Sequence, residues 1–201
     1  ASELFEGMRG MGRVFQSAST VAAVLNGNLI EKAAEAGLRS LFLGFETFSP
    51  DNLRSSNKLQ NLSKDYVAAV KRLHSLGIMI NGSFVFGLDH DDKDVFRRTV
   101  DWGIEHSITT ATFHILTPYP GTRLFQQMER DGRITSYDWS KYDTRTVVYK
   151  TLGLTAEELK QGYEWAYHNF YSWSNIFKAS FGHDNIKQQL AHLLYMGGWK
   201  K

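Results

Sequence analysis

The chain has 201 residues, with 23 Lys and Arg against 21 Asp and Glu, giving a formal charge of +2. Charged residues at 22% and hydrophobic ones at 42% describe a globular chain with material for one domain and a small appendage, and exclude a disordered tail. So even a charge balance argues against a nucleic-acid partner, and no apolar run approaches the roughly 18 residues of a membrane span.

No membrane partner is therefore expected, and the cytoplasm is the default location. The chain contains no cysteine, which excludes disulfides, a thiol nucleophile and any iron–sulfur or thiolate metal site built from its own residues. It opens at Ala1 rather than at methionine, which fits processing or a piece of a longer protein.

Strand and helix signals alternate through the first two thirds. Residues 13–18 read as a short strand, and residues 28–36 as a helix with Leu29, Ala33 and Ala36 on one face and Gly37 as its stop. Residues 40–46, rich in Leu and Phe, read as a second strand. Ser49-Pro50 starts a short helix, and Ser63 caps a longer one whose Val67, Val70, Leu73 and Leu76 keep helical spacing up to Gly77. Residues 78–87 form the third strand, with Asp91 or Asp92 capping a helix to about Glu105. Residues 109–117 form the fourth strand and residues 123–130 the helix after it. This alternation implies βαβ units and a parallel sheet with right-handed crossovers.

The pattern changes after Gly132, so the chain divides into residues 1–132 and an extension over 133–201. Within the extension Val147-Val148-Tyr149 reads as a strand, and Thr155-Ala156-Glu157-Glu158 as a capping box opening a helix. That helix carries a stripe of Tyr163, Ala166, Tyr167, Phe170, Trp173 and Phe177, which packs across the sheet-and-helix layer. A last helix spans residues 185–196.

Side chains alternate across a strand, so each strand divides into two faces. Leu41, Leu43, Phe45, Ile80, Phe84, Phe86, Ala111, Phe113 and Ile115 make one face apolar. The other collects Gln16, Glu46, Asn81, Ser83, Thr112 and His114, with Gly44 and Gly87 leaving room. A doubly wound sheet would be apolar on both faces. The pattern suits a curved, barrel-like sheet with a polar lumen, where a ligand binds at the C-terminal strand ends. Asp89-His90-Asp91-Asp92 reads as an acidic helix start rather than a metal site, because consecutive residues rarely converge on one ion. Pro118-Tyr119-Pro120-Gly121-Thr122 reads as a stiff turn.

Gly44-Phe45-Glu46-Thr47, Lys58-Leu59-Gln60-Asn61, the run from Gly82 to Asp89, Thr117 to Thr122, Gly132-Arg133-Ile134 and Asp138-Trp139 occur in that order. The series resembles the C-terminal part of radical S-adenosylmethionine enzymes of the cobalamin-binding-domain class, which includes methyltransferases and the anaerobic magnesium-protoporphyrin monomethyl ester cyclase. The resemblance implies an α/β fold, a partial (β/α) barrel, of which about four parallel strands are present here, followed by a helical extension. The CxxxCxxC loop holding a 4Fe-4S cluster, and any cobalamin-binding domain, would lie upstream of this chain. By position, Glu46 matches a residue contacting the ribose or amino-acid part of S-adenosylmethionine. Ser83, Val85 and Gly87 match a motif packing against adenine, in which Ser83 replaces a glycine and His90 an acidic residue. Leu116 matches a further adenine contact. Gln16, Asn81, Thr112 and His114 would line the substrate side. For the intact parent the implied reaction is reductive cleavage of S-adenosylmethionine to a 5′-deoxyadenosyl radical acting on a small-molecule substrate, with methyl transfer and ring-forming oxidation both open. The isolated chain would be inactive.

Two other readings remain open at this level. One is a non-catalytic ligand-binding α/β domain; the other is a cysteine-free barrel lyase or hydrolase using Glu46 and His114 as an acid–base pair. If strands are missing upstream, the first strand leaves an unpaired edge, and self-association through it is expected.

Overall fold

The computed structural model describes residues 1–49, 51–52, 66–182 and 186–199. The short helix start at Pro50, the cap at Ser63, the Lys58–Asn61 motif and Asn185 lie outside the described residues. The elements run α1 (Ser2–Met8), β1 (Phe15–Thr20), α2 (Val21–Leu25), α3 (Leu29–Glu35), β2 (Leu38–Glu46), α4 (Tyr66–Ser75), β3 (Met79–Phe86), α5 (Val95–Glu105), β4 (Thr110–Ile115), α6 (Arg123–Arg130), α7 (Ala156–Phe170), α8 (Trp173–Phe181) and α9 (Ile186–Trp199). Four parallel strands lie in chain order β1-β2-β3-β4, which is the α/β arrangement expected from the sequence.

Chain order has a consequence for the two faces. Right-handed crossovers that always step the same way put the connecting helices on one face of the sheet. The core lies there: Leu41, Leu43, Phe45, Ile80, Phe84, Phe86, Phe113 and Ile115 pack with Val24, Ala33, Val70, Leu73, Val100, Ile104 and Phe170 from the helices. Phe45, Phe84 and Phe113 stack at centroid distances of 5.4 and 5.8 Å, and Phe86 continues the row at 5.5 Å from Phe113. Burying each such ring contributes about 2 kcal/mol.

The structure departs from the sequence reading in several places. β1 begins two residues later than expected and runs directly into α2, capped by the Thr20 hydroxyl accepting from Ala23 N. Val147-Val148-Tyr149 makes only one antiparallel bridge, Ile134 to Tyr149. The aromatic stripe is not on one helix: α7 ends at Phe170, and Ser172 caps α8 by accepting from Asn175 N. A serine cap in mid-stripe outweighs apolar periodicity that continues across the break.

The stripe also does more than pack. The Tyr167 hydroxyl accepts from Phe113 N and donates to Phe113 O, both at 3.1 Å. The Tyr171 hydroxyl does the same for Ala111, at 3.1 and 2.9 Å. Side chains four apart on a helix advance about 6 Å, and residues two apart on a strand about 6.6 Å, so the tyrosines match the edge of β4. Ile115 N completes the edge by donating to Thr144 O at 2.7 Å. α7 thus takes the place of a fifth strand.

Replacing Tyr167 or Tyr171 by Phe keeps the ring and strands a backbone donor and acceptor. Each variant is expected to lose about 1–3 kcal/mol in urea unfolding; unchanged stability would show that water satisfies this edge equally well.

Candidate functional site

Among the described residues the sheet's second face carries no crossover helix, and its rows follow from the register. Ala18, Phe42, Asn81 and Thr110 form one row, and Thr20, Gly44, Ser83 and Thr112 the next. Val85 pairs with His114 above them, and Gln16 with Ser40 below. The structure therefore brings Gln16, Asn81, Ser83, Val85, Thr112 and His114 onto one face. The face is open over β1 and β2, where Phe42 is 40% exposed and Gln16 is exposed, and covered over β3 and β4, where Ser83 and Thr110 are buried.

Glu46 ends β2 in a left-handed conformation, φ 64°, where the register with β3 slips between Gly44 and Glu46. Thr47 N donates across it to Phe45 O at 2.9 Å, closing a γ-turn. The Tyr66 hydroxyl donates to the same Phe45 O at 3.0 Å, and Phe48 and Trp102 pack against the Phe45 ring. Burial raises the Tyr66 hydroxyl well above the usual phenol range, so it remains a donor. The turn folds the Glu46 carboxylate back over Gly44, where an added Cβ would lie 3.0 Å from Oε1. Gly44 therefore makes room for Glu46.

His114 is half-buried, with Nδ1 3.2 Å from the Thr144 hydroxyl. Burial lowers its pKa, the Glu46 carboxylate opposes this, and Arg145 adds to the lowering. The imidazole is thus mainly neutral at pH 7. A glycine at residue 46 relieves the left-handed strain, so Glu46→Gly is expected to gain up to about 1 kcal/mol in thermal or urea unfolding. A loss of stability would mean that the carboxylate, not the backbone, dominates there.

The loop after β3 differs most from the sequence reading. Gly87 has φ 90°, and a Cβ there would overlap the Tyr149 hydroxyl and Leu159. Its missing side chain accommodates the core side, so it does not widen the open face as expected; the positive φ reverses the strand alternation. Asp91 is not the helix cap. It is buried, its Oδ2 accepting from Gly87 N and Leu88 N at 2.8 and 3.0 Å and its Oδ1 from Asn52 Nδ2 at 2.7 Å. Asn52 Oδ1 in turn accepts from His90 N. Asp92 instead serves the α5 start, accepting from Asp94 N and pairing with Arg98. Asp89 pairs with Arg133 through two bonds of 2.5 and 3.2 Å, and the Arg133 guanidinium lies 5.9 Å from the centre of the Tyr149 ring. The Tyr149 hydroxyl donates to Gly87 O at 2.5 Å. The glycine turn is thus held from both sides. Leu116, expected beside adenine, is partly buried, donates its N–H to Phe86 O at 2.9 Å and packs against the cluster of Phe125, Met128, Tyr142, Val148 and Tyr149.

Sequence reasoning missed Asp91, Asn52, Tyr66 and Tyr149 as the groups that shape these strand ends. Only Asp91 carried a signal, an acidic residue four positions after a strand-ending glycine. Burial pushes its carboxyl up to about 6 against the opposing pull of the Leu88, Gly87 and Asn52 hydrogen bonds, with Asp92 adding a smaller upward push. With the folded pKa above the unfolded value, the native state holds the extra proton between about pH 4 and 6. This group's contribution is therefore fully present below about pH 4 and is lost as pH rises through 6. The stability of the wild type relative to Asp91→Asn is expected to fall over that window by up to about 3 kcal/mol and then level off. A pH-independent difference would contradict it.

No family model matches the chain. It is 33% identical over 180 residues, 90% of its length, to a bacteriochlorophyllide d C-12(1)-methyltransferase of Chlorobaculum tepidum. It is 30% identical over 149 residues, 74% of its length, to the anaerobic magnesium-protoporphyrin IX monomethyl ester cyclase of Cereibacter sphaeroides. Among solved structures, the radical S-adenosylmethionine methyltransferase TsrM of Kitasatospora setae, with cobalamin and a [4Fe-4S] cluster bound, matches 98% of the chain at a TM-score of 0.60 and 12% identity. The chain is thus similar in sequence to tetrapyrrole methyltransferase and cyclase enzymes and shares the fold of a radical S-adenosylmethionine methyltransferase. The chain spans 39% of the first relative, 24% of the second and 49% of TsrM. The match to TsrM bears out the partial barrel expected from the ordered motifs.

Proposed function

We propose that this chain forms the C-terminal part of the cofactor and substrate sheet in a radical S-adenosylmethionine methyltransferase. The observation that carries the reading is the polar face, free of crossover helices among the described residues, with Glu46 fixed at its strand end beside Ser83 and His114. Methyl transfer is favoured over ring closure because the relative at 33% identity is a methyltransferase. Both relatives are named for tetrapyrroles, so a large flat macrocycle of that class is the proposed substrate.

The residues of the face suit S-adenosylmethionine. Asn81 Oδ1 is a buried acceptor with no donor among the described residues, a costly state that a ligand N–H or O–H relieves. Glu46 would accept from the ribose hydroxyls or the ammonium group, while Ser83, Val85 and Leu116 would flank adenine. Gln16, Thr112 and His114 would face the substrate, and the neutral imidazole would accept or donate a single hydrogen bond there. A cluster has no fit within this chain, which offers no thiolate. Its ligands, and any cobalamin site, are assigned to sequence outside these 201 residues. When bound, S-adenosylmethionine supplies the radical and methyl-transfer chemistry; this chain orients it and excludes water.

β1 is the sheet's other edge, and no described strand pairs its outer side. That edge is where preceding strands would add, and in the isolated chain self-association through it is the corresponding expectation.

The test uses the longer polypeptide, reconstituted anaerobically with iron and sulfide. Glu46→Ala is expected to weaken S-adenosylmethionine binding more than tenfold in equilibrium dialysis while iron content stays unchanged. Unchanged binding would overturn the assignment of the face, and loss of iron would show a structural role instead.

A further inference from the structure

The α8–α9 hairpin is apolar on two sides, and one of them is buried against the domain. Ile176, Ala179 and Ser180 of α8 and His192 and Met196 of α9 are buried between the helices and the domain. Ser180 Oγ lies 2.8 Å from His192 Nδ1 and joins the two helices. The outward side is also apolar. Trp173, Phe177 and Phe181 form a stripe at four-residue spacing on α8, and Ile186, Leu190 and Leu194 a second on α9. Trp173 lies against Gly197, so the first stripe borders the second helix, and the Trp173 and Phe177 rings are 6.0 Å apart. A surface helix needs one apolar stripe, and a second one on the outside marks an interaction surface.

The charges in this C-terminal segment are mostly positive. From Trp173 to the end of the sequence the charged residues are Lys178, Lys187, Lys200 and Lys201 against Asp184 alone. Lys178 and Lys187 are exposed beside the stripes. The rest of the chain is balanced, so the excess is local.

The hairpin's place in the fold matters too. α9 lies beneath the N-terminal ends of the strands: Gln188, Ala191 and His192 meet His74, Ile78, Met79 and Thr109 around a cavity of about 110 Å³. The open face ends in Glu46 and His114 at the opposite, C-terminal ends. Strands added beyond β1 would also lie away from β3 and β4, where the hairpin sits.

We propose that the outward face of α8–α9 docks on an anionic phospholipid surface, with the aromatic and aliphatic stripes in the headgroup–acyl boundary and the lysines on the phosphates. Docking this way requires no membrane span, and no helix among the described residues is long and apolar enough to be one. It holds the C-terminal strand ends away from the lipid, facing the aqueous side.

Flotation of the full 201-residue chain with vesicles of phosphatidylcholine, with and without phosphatidylglycerol, tests this. Co-flotation is expected with phosphatidylglycerol vesicles and to weaken in high salt. Phe181 is 66% and Leu194 77% exposed, so Phe181→Asp with Leu194→Asp is expected to preserve the circular dichroism spectrum and lower binding more than tenfold. Lys178→Glu with Lys187→Glu is expected to lower it about fivefold or more per lysine on anionic vesicles only. Absence of flotation with either vesicle would overturn the proposal. So would equal binding to neutral vesicles, or a concentration-dependent dimer abolished by the Phe181 and Leu194 changes, which would assign the face to a second copy.

Discussion

Strand order governs this molecule. Four parallel strands in chain order, joined by crossovers of one hand, leave helices for one face only. That face must be apolar, and it is, from Leu41 through Phe113. The other is free of crossover helices among the described residues. It carries Gln16, Asn81, Ser83, Thr112 and His114 for the same geometric reason that the first carries phenylalanine.

The two sheet edges are treated differently. β4 is closed by a helix whose tyrosine hydroxyls take the place of a neighbouring strand's backbone. Such closure fixes where the sheet stops and leaves β1 as the edge that can be extended. The strand ends facing the open side are shaped by local devices. A left-handed residue turns the Glu46 carboxylate back over a glycine, and a buried carboxylate gathers the amides of the Gly87 loop. Both place charge at the strand ends, beside the buried Phe45 and Leu159.

The faces of the sheet were legible in the sequence because alternation at a period of two survives small errors in strand ends. Residues 13–18 and Phe15–Thr20 differ by two positions, which leaves Gln16 on the same face. The capping box at Thr155 and Glu158 was legible because both partners are local. What escaped depended on contacts distant in sequence. Nothing near Tyr167 indicates Phe113, and nothing near Asp91 indicates Asn52. Glycines misled for a related reason: a missing Cβ marks close approach without saying by what, and at Gly44 and Gly87 the neighbours are the protein's own Glu46 and Tyr149. The ordered motifs carried the family because their sequence order, more than any one residue, is specific, and the 33% identical methyltransferase agrees with it.

The central claim is that the helix-free face binds S-adenosylmethionine within a sheet extended beyond β1. A structure of the longer polypeptide with S-adenosylmethionine bound tests it most directly. The ligand is expected on the open face, within hydrogen-bonding distance of Glu46 and Asn81, with a further strand paired to the outer edge of β1. A ligand bound elsewhere, or a β1 edge still unpaired in that structure, would contradict it.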